Sequence, residues 1–263
     1  MKKVFMPLLV LVTVLAVIAG IIAHMGIKNI SDITNLEDFD YSFTYTNDGK
    51  DSKLSFSRDI VGDIKTLEVD IALIDVIIKE GDQFNVAYEG KTKYKPDVTT
   101  TGNKLVVSQK GKFGNASVGI NKETGTLTIT IPEGTVFDSA SIEAAMSKYN
   151  IDVLNAKELT FEVAMAEIDV NKAAGDILKV DTQSGDVDID CDYTDINVEC
   201  AMGNIDITLA KDVDDYDVTT EAAMGSVKVG EHDAKGLSAA SSGSGKSGSI
   251  RVDCSMGNVD IHN

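Results

Sequence analysis

The stretch CAMGNIDI, residues 200–207, returns almost unchanged as CSMGNVDI at residues 254–261. Four relatives accompany it: AAMSKYNIDV from Ala144, VAMAEIDV from Val163, TQSGDVDI from Thr182 and AAMGSVKV from Ala222. With Met146, Met165, Ser184, Met202, Met224 and Met256 as anchors, the spacings are 19, 19, 18, 22 and 32 residues. A period near 20 residues with strand-like content is the pattern of a solenoid, in which each coil buries its apolar face on the next.

Alternation fixes the faces. Two residues before each anchor stand Ala144, Val163, Thr182, Cys200, Ala222 and Cys254; four before stand Ile142, Phe161, Val180, Val198, Thr220 and Val252. After the anchor the pattern resumes at Ile168/Val170, Val187/Ile189, Ile205/Ile207, Val227/Val229 and Val259/Ile261. The first copy allows two alignments through Tyr149, Ile151 and Val153. A period of two places one set inward and the other outward, and excludes a helix. The expected fold is all-β: a parallel β-solenoid with two short strands per coil of about 18–22 residues, turning at Gly185, Gly203, Gly225 and Gly257.

The divisions follow from these patterns. Residues 138–263 carry the rungs, interrupted by a flexible Gly/Ser loop over 230–249. Residues 63–137 read as strands that open the solenoid, including LEVDIALIDVIIKEG and GTLTITIPEG, and residues 24–62 as a connector with some strand. Residues 4–23, VFMPLLVLVTVLAVIAGIIA, are an uncharged run long enough to cross a bilayer as a helix. Lys2 and Lys3 would hold residues 1–3 in the cytoplasm and put the remainder outside, as a single-pass protein of the cell membrane. A cleaved signal peptide is the alternative, with weak small-residue sites ending at Ala19 and Ala23.

LTITIPEGTVFDSASIEAAM (residues 127–146), followed by recurring G-D/N-V/I-D-I rungs, resembles the bacterial putative-adhesin domain family of unknown function. The resemblance covers about residues 63–263. It implies a β-solenoid in an extracytoplasmic, cell-envelope setting, and some similar proteins are membrane-anchored and associated with envelope-stress systems. It brings no catalytic residues to this chain.

Composition narrows the partners. Against 24 Lys and Arg stand 42 Asp and Glu, a net charge of −18, so bare nucleic acid and anionic lipid are repelled. The segment ASSGSGKS, residues 240–247, fits a loose phosphate-loop pattern. A working loop joins a buried strand to a helix N-terminus, and here a strand pair follows instead, so no nucleotide is expected. The three histidines, His24, His232 and His262, form no triad or metal spacing with other residues, and no enzyme activity is expected.

Cys191, Cys200 and Cys254 fall on inward positions, where free thiols behave as small hydrophobes. With the Ala222 rung between them, Cys200 and Cys254 would stand roughly 9–10 Å apart, beyond disulfide reach. Met146, Met165, Met202, Met224 and Met256 read as a core column. Three residues before each anchor, an outward acidic column holds Glu143, Glu162, Asp181, Glu199, Glu221 and Asp253; a second, four after, holds Asp169, Asp188, Asp206, Lys228 and Asp260. Stacked like charges are solvated by water and sodium or neutralised by a cation or basic ligand. Oxygen ligands suit Ca²⁺, although the calcium-binding nonapeptide of β-rolls is absent.

The sequence stops two residues after Ile261, which would leave a C-terminal solenoid edge open to self-association. The expected function is a non-catalytic binding or scaffolding domain at the bacterial cell envelope, adhesin-like, for an envelope or surface protein or a glycan. The alternative is a membrane-anchored regulator or sensor of envelope stress acting through a membrane partner.

Overall fold

The structure is a computed structural model that describes residues 53–109, 124–235 and 238–263. The apolar run at 4–23 and the connector as far as residue 52 lie outside the described residues. The described chain is all-β, a single curled sheet of 17 strands, with two 3₁₀ turns at Thr92–Tyr94 and Val213–Asp215.

The first part comprises β1 (Lys53–Asp59), β2 (Thr66–Ile71), β3 (Asp75–Gly81), β4 (Asn85–Lys91), β5 (Asp97–Thr101), β6 (Lys104–Ser108) and β7 (Gly125–Pro132). β2 and β3 are the two halves of a first coil. Parallel pairing joins β2 to β6 and β3 to β7, while β1–β4, β4–β7 and β5–β6 are antiparallel and widen this end. Gln109 holds the bend between β2 and β3. Its buried Oε1 accepts from the N–H groups of Ala72 (3.1 Å) and Leu73 (3.0 Å), and its Nε2 donates to the Tyr94 carbonyl (2.9 Å). Backbone donors at a buried bend need such an acceptor.

The repeats follow as β8 (Val136–Ala144), β9 (Lys148–Ile151), β10 (Asn155–Val163), the long extended run β11 (Glu167–Leu209), β12 (Tyr216–Ala222), β13 (Ser226–Val229), β14 (His232–Lys235), β15 (Ser238–Gly243), β16 (Gly248–Cys254) and β17 (Asn258–His262). Each anchor separates a strand on one face from a strand on the other. The inward columns are buried as alternation predicts: Ile142, Phe161, Val180, Val198 and Val252 on one face, Ile168, Ile189, Ile207, Val227 and Ile261 on the other. Tyr149 and Ile151 point inward in the first copy, which decides its alignment.

The stacking order departs from the chain order. β16 lies between residues 195–200 of β11 and β12, and β17 between residues 204–208 of β11 and β13. The last repeat in sequence is therefore an interior rung, and the expected open edge at the C-terminus is not there. The far side of β12 and β13 is covered instead by β15 and β14, both antiparallel. This also corrects the flexible loop expected over 230–249. Half of it forms these two strands, because an uncovered β12–β13 edge would leave a row of unpaired backbone groups. The extra residues in the 32-residue spacing are the cap and the return path.

Glycine makes the corners possible at this separation. A Cβ at Gly203 (φ +152°) would sit 2.2 Å from the Gly185 carbonyl oxygen. One at Gly257 would meet Cys200 Sγ at 2.4 Å and the Gly203 carbonyl oxygen at 2.6 Å. The rungs are in backbone contact there, and no other residue fits without displacing one of them.

Candidate functional site

The anchors sit at the corner, where the chain leaves one face for the other and strict alternation lapses. The methionines consequently turn outward. Met165, Met202, Met224 and Met256 are 61%, 48%, 67% and 45% exposed, and Met146 is half-buried. The core column expected from the sequence is thus a surface ridge. Backbone bonds stack its members: Met146 N–H donates to Ala72, Met165 to Ala145, Met256 to Ala201 and Met224 to Ser255, all at 2.7–2.9 Å. Along the stack the order is Met146, Met165, Ser184, Met202, Met256 and Met224. Exposed thioethers in a row form an adaptable apolar surface.

On one side of this ridge runs the first acidic ladder. Asp70 pairs in register with Glu143, Glu143 with Glu162, and Glu162 with Asp181. Beyond residue 181 come Glu199, then Asp253, then Glu221. Asp70 is an addition that sequence analysis missed. Its strand has no methionine anchor, although the alternation Leu67, Val69, Ile71 places Asp70 outward in the same column. Burial pushes the carboxyl of Asp70 above its ordinary range. Burial, then the charges of Asp70, Glu162 and Glu68, raises Glu143. Burial and Glu162 raise Asp181. Arg251 answers Asp253 at 3.2 Å.

On the other side runs a shorter ladder. Asp169, Asp188, Asp206 and Asp260 follow one another, and Lys228 ends the row beside Asp260. They line a surface depression together with Asn204 and Asn258. Asn258 Nδ2 donates to Asn204 Oδ1 at 3.0 Å, and Asn204 Nδ2 to Asp186 Oδ1 at 2.8 Å, a short amide chain across three rungs. The carboxyl of Asp188 is raised by burial, then by Asp206, Asp169 and Asp190, against an opposing effect of His262. His262 Nδ1 stands 3.4 Å from Asp206 Oδ1.

Charges of opposite sign also stack across rungs, but in other columns. Lys148 bonds Glu167 at 2.5 Å, Lys157 bonds Asp138 at 2.6 Å, and Lys179 bonds Glu158. These lysines tie neighbouring coils together and leave the two acidic rows flanking the ridge. Among the described residues, no group of three or more His, Cys, Asp or Glu is placed to hold a metal ion. The ladder carboxylates lie in a line at rung spacing and do not converge on a point.

The remaining candidates are dispersed. Lys246, from the loose phosphate-loop pattern, bonds Asp215 at 3.0 Å, and residues 240–243 belong to β15. Cys191, Cys200 and Cys254 are buried free thiols. Cys200 and Cys254, however, are direct neighbours in register, because β16 and not β12 adjoins residues 195–200. The separation expected for them followed from assuming chain order.

The described residues form an all-β curled sheet of repeated rungs whose methionine ridge is flanked by acidic rows. Residues 64–194 match the model of the family described as Toastrack DUF4097 and form a domain of that family, one without an assigned function. No curated protein matches the sequence. Among solved structures, one described as a putative cell adhesion protein from Clostridium sporogenes is 17% identical and has a TM-score of 0.50, covering 80% of this chain and 99% of its own. Two described as putative adhesins are similar at lower scores. That from Bacteroides fragilis has 11% identity and a TM-score of 0.35, covering 81% of this chain and 98% of its own. That from Parabacteroides merdae has 12% identity and a TM-score of 0.32, covering 82% and 98%.

Proposed function

We propose that this chain is a non-catalytic binding or scaffolding protein of the bacterial cell envelope, adhesin-like, whose curled sheet serves as a β-solenoid scaffold. Its binding surface is the methionine ridge with its two acidic borders, and its partner is a cationic, partly apolar surface protein segment. The observation that carries this reading is the exposure of Met165, Met202, Met224 and Met256 in one row between the ladders. Thioethers supply contact area that adapts to the partner, and the carboxylates supply long-range attraction and exclude acidic competitors. The fold likeness to a structure described as a cell adhesion protein agrees with such a role. Placement outside the cytoplasm follows from reading residues 4–23 as a retained anchor.

The test is titration of a synthetic peptide of alternating lysine and leucine, with an alternating glutamate and leucine peptide as control. The lysine peptide is expected to bind with an affinity that falls steeply with salt. Binding should weaken in Met165→Ser/Met202→Ser/Met256→Ser and again in Asp188→Asn/Asp206→Asn. Equal binding by the ridge variant and the parent would refute the assignment. Ca²⁺ in place of peptide measures whether the ladders take divalent ions beyond the effect of matched ionic strength.

A second reading, a regulator of envelope stress acting through a membrane partner, is favoured by the uncharged run at 4–23. The two separate on one comparison. A binding module retains its activity when detached from residues 1–30, whereas a regulator loses its cellular effect.

A further inference from the structure

We propose that Cys200 and Cys254 are a redox pair, which on oxidation forms an intramolecular disulfide stapling the last repeat of the sequence into the middle of the stack. The pair exists only because of the stacking order. β16 enters beside residues 195–200 of β11 and brings Cys254 into register with Cys200. Both side chains point inward and both are buried, at 3% and 4% exposure. Cys200 Sγ itself bonds the Gly203 carbonyl at 3.8 Å, and the two thiols are close enough to shift one another's titration. Cys200 Sγ lies under Gly257, on the rung of Cys254, whereas Cys254 Sγ lies under Gly225, on the side away from Cys200, so its side chain must rotate to meet Cys200.

The geometry is within reach of a bond. Neighbouring strands stand about 4.8 Å apart, inside the Cα separation of roughly 4.4–6.8 Å that disulfides span. A Cβ separation of about 4.8 Å is slightly beyond the usual upper limit of roughly 4.5 Å. The bond therefore needs rotation of the cysteine side chains and a local shift of β16, since the glycine corners already hold the rungs in backbone contact.

The chemistry selects this pair over the third cysteine. The neighbouring Cys200, then the N–H of Gly257, lower the Cys254 thiol against the opposing effect of burial, while Cys254 and burial raise Cys200. Burial, then the charges of Asp192 and Asp190, pushes Cys191 up to about 12. Exchange starts from either thiol of the pair with the same product, here from Cys254. Its thiolate attacks a sulfur of a small disulfide oxidant, giving a mixed disulfide and releasing one oxidant thiolate. Cys200, having lost its proton to solvent, then attacks the Cys254 sulfur and expels the second oxidant thiolate. The two protein thiols lose two electrons and two protons, and the oxidant disulfide becomes two thiols. Because the pair is buried, the reaction takes place while β16 is opening or before it inserts. The bond encloses β12 to β15, so it holds the inserted rung and the cap to the body of the stack.

The test uses the full chain with oxidised glutathione as the oxidant, added to the native protein and, in parallel, during refolding from urea. Alkylation, intact mass and peptide mapping then read the products. The expected product is lighter by two hydrogens, links the peptides carrying Cys200 and Cys254, and leaves Cys191 to be alkylated after unfolding. Amide exchange in residues 216–229 and 248–262 should slow on oxidation and recover with reductant. The Cys191→Ala variant should form the same bond, and Cys254→Ala should form none. The proposal is overturned if protein refolded with oxidant regains its fold with all three thiols free. It is equally overturned if the product stops at a glutathione adduct, or if the bond found involves Cys191.

Discussion

Asp260 lies in register beside Asp206, the place that chain order would give to Lys228, and Lys228 stands on its far side with Nζ 3.8 Å from Asp260 Oδ2. The inserted rung therefore decides which charges are neighbours. Four aspartates run without interruption from Asp169 to Asp260, and the lysine closes the row.

That arrangement predicts the effect of extending the row. Lys228→Glu removes the terminating cation and adds a like charge beside Asp260. Both are partly exposed, so water and salt screen the interaction, and a loss of roughly 1 kcal/mol at low ionic strength is expected. Urea denaturation at low and high salt measures it. The loss should shrink in high salt and in the Asp260→Asn background. A salt-independent loss would assign the effect to packing of the lysine stem.

The ladder carboxyls also set a pH dependence. Asp70, Glu143, Asp181 and Asp188 all have raised values in the folded protein, from burial and from one another. Just above their ordinary values of 3.8 and 4.5, the folded protein binds more protons than the unfolded chain. Stability must then fall as pH rises through that window, and mild acidification should stabilise. Asp138 acts in the opposite sense, since the bond and charge of Lys157 lower it, and its contribution is lost at more acid pH. The melting temperature is expected to rise as the pH falls from neutrality towards the ordinary carboxyl values and to decline at more acid pH, where Asp138 is protonated. Glu143→Gln with Asp188→Asn should flatten the rise. A melting temperature that only falls on acidification from neutrality would contradict the ladder electrostatics.

The position of the last repeat makes a third prediction. β12 and β13 have β16 and β17 as their parallel partners, and otherwise meet only the antiparallel cap. Truncation after Ser247 should therefore unfold residues 216–229 together with the missing rung. Amide exchange of the truncated chain is expected to show residues 216–229 unprotected, while β8 to β10 keep their protection. A chain that lost protection only next to the cut would mean that β12 can pair directly with β11.

Strand positions and inward columns were legible in the sequence because alternation is local: Phe161, Val180 and Val198 are buried wherever their rung sits in the stack. The order of the rungs was not, since each repeat offers the same pattern to either neighbour. The separation of Cys200 from Cys254 and the open C-terminal edge both followed from assuming chain order. The 32-residue spacing carried the missing information, because a dozen additional residues suffice for a cap and a return. The methionines were misplaced for another reason. They continue the inward phase of the strand before them, but the chain turns at that point, and alternation says nothing across a corner. The second ladder and six members of the first were legible, while Asp70 was hidden in a coil without the anchor residue.

Gly257 tests whether close rung contact holds the inserted repeat. An added Cβ would face Cys200 Sγ at 2.4 Å and the Gly203 carbonyl oxygen at 2.6 Å, so a buried thiol and a backbone oxygen must both move. Overpacking of this kind costs about 1–3 kcal/mol. Gly134, with no atom within 4 Å of its Cβ position but a φ of +72°, is the control for conformational strain alone. Gly257→Ala is expected to lose that much in urea denaturation and to loosen residues 248–262 in amide exchange. Gly134→Ala should leave exchange in residues 248–262 unaltered. If Cys200→Ala, by deleting the sulfur, restores part of the loss in the Gly257→Ala background, the contact with Sγ is the cause. If it restores nothing, the Gly203 carbonyl carries the clash, and Gly203→Ala, aimed at the Gly185 oxygen from 2.2 Å, should then be the more damaging change.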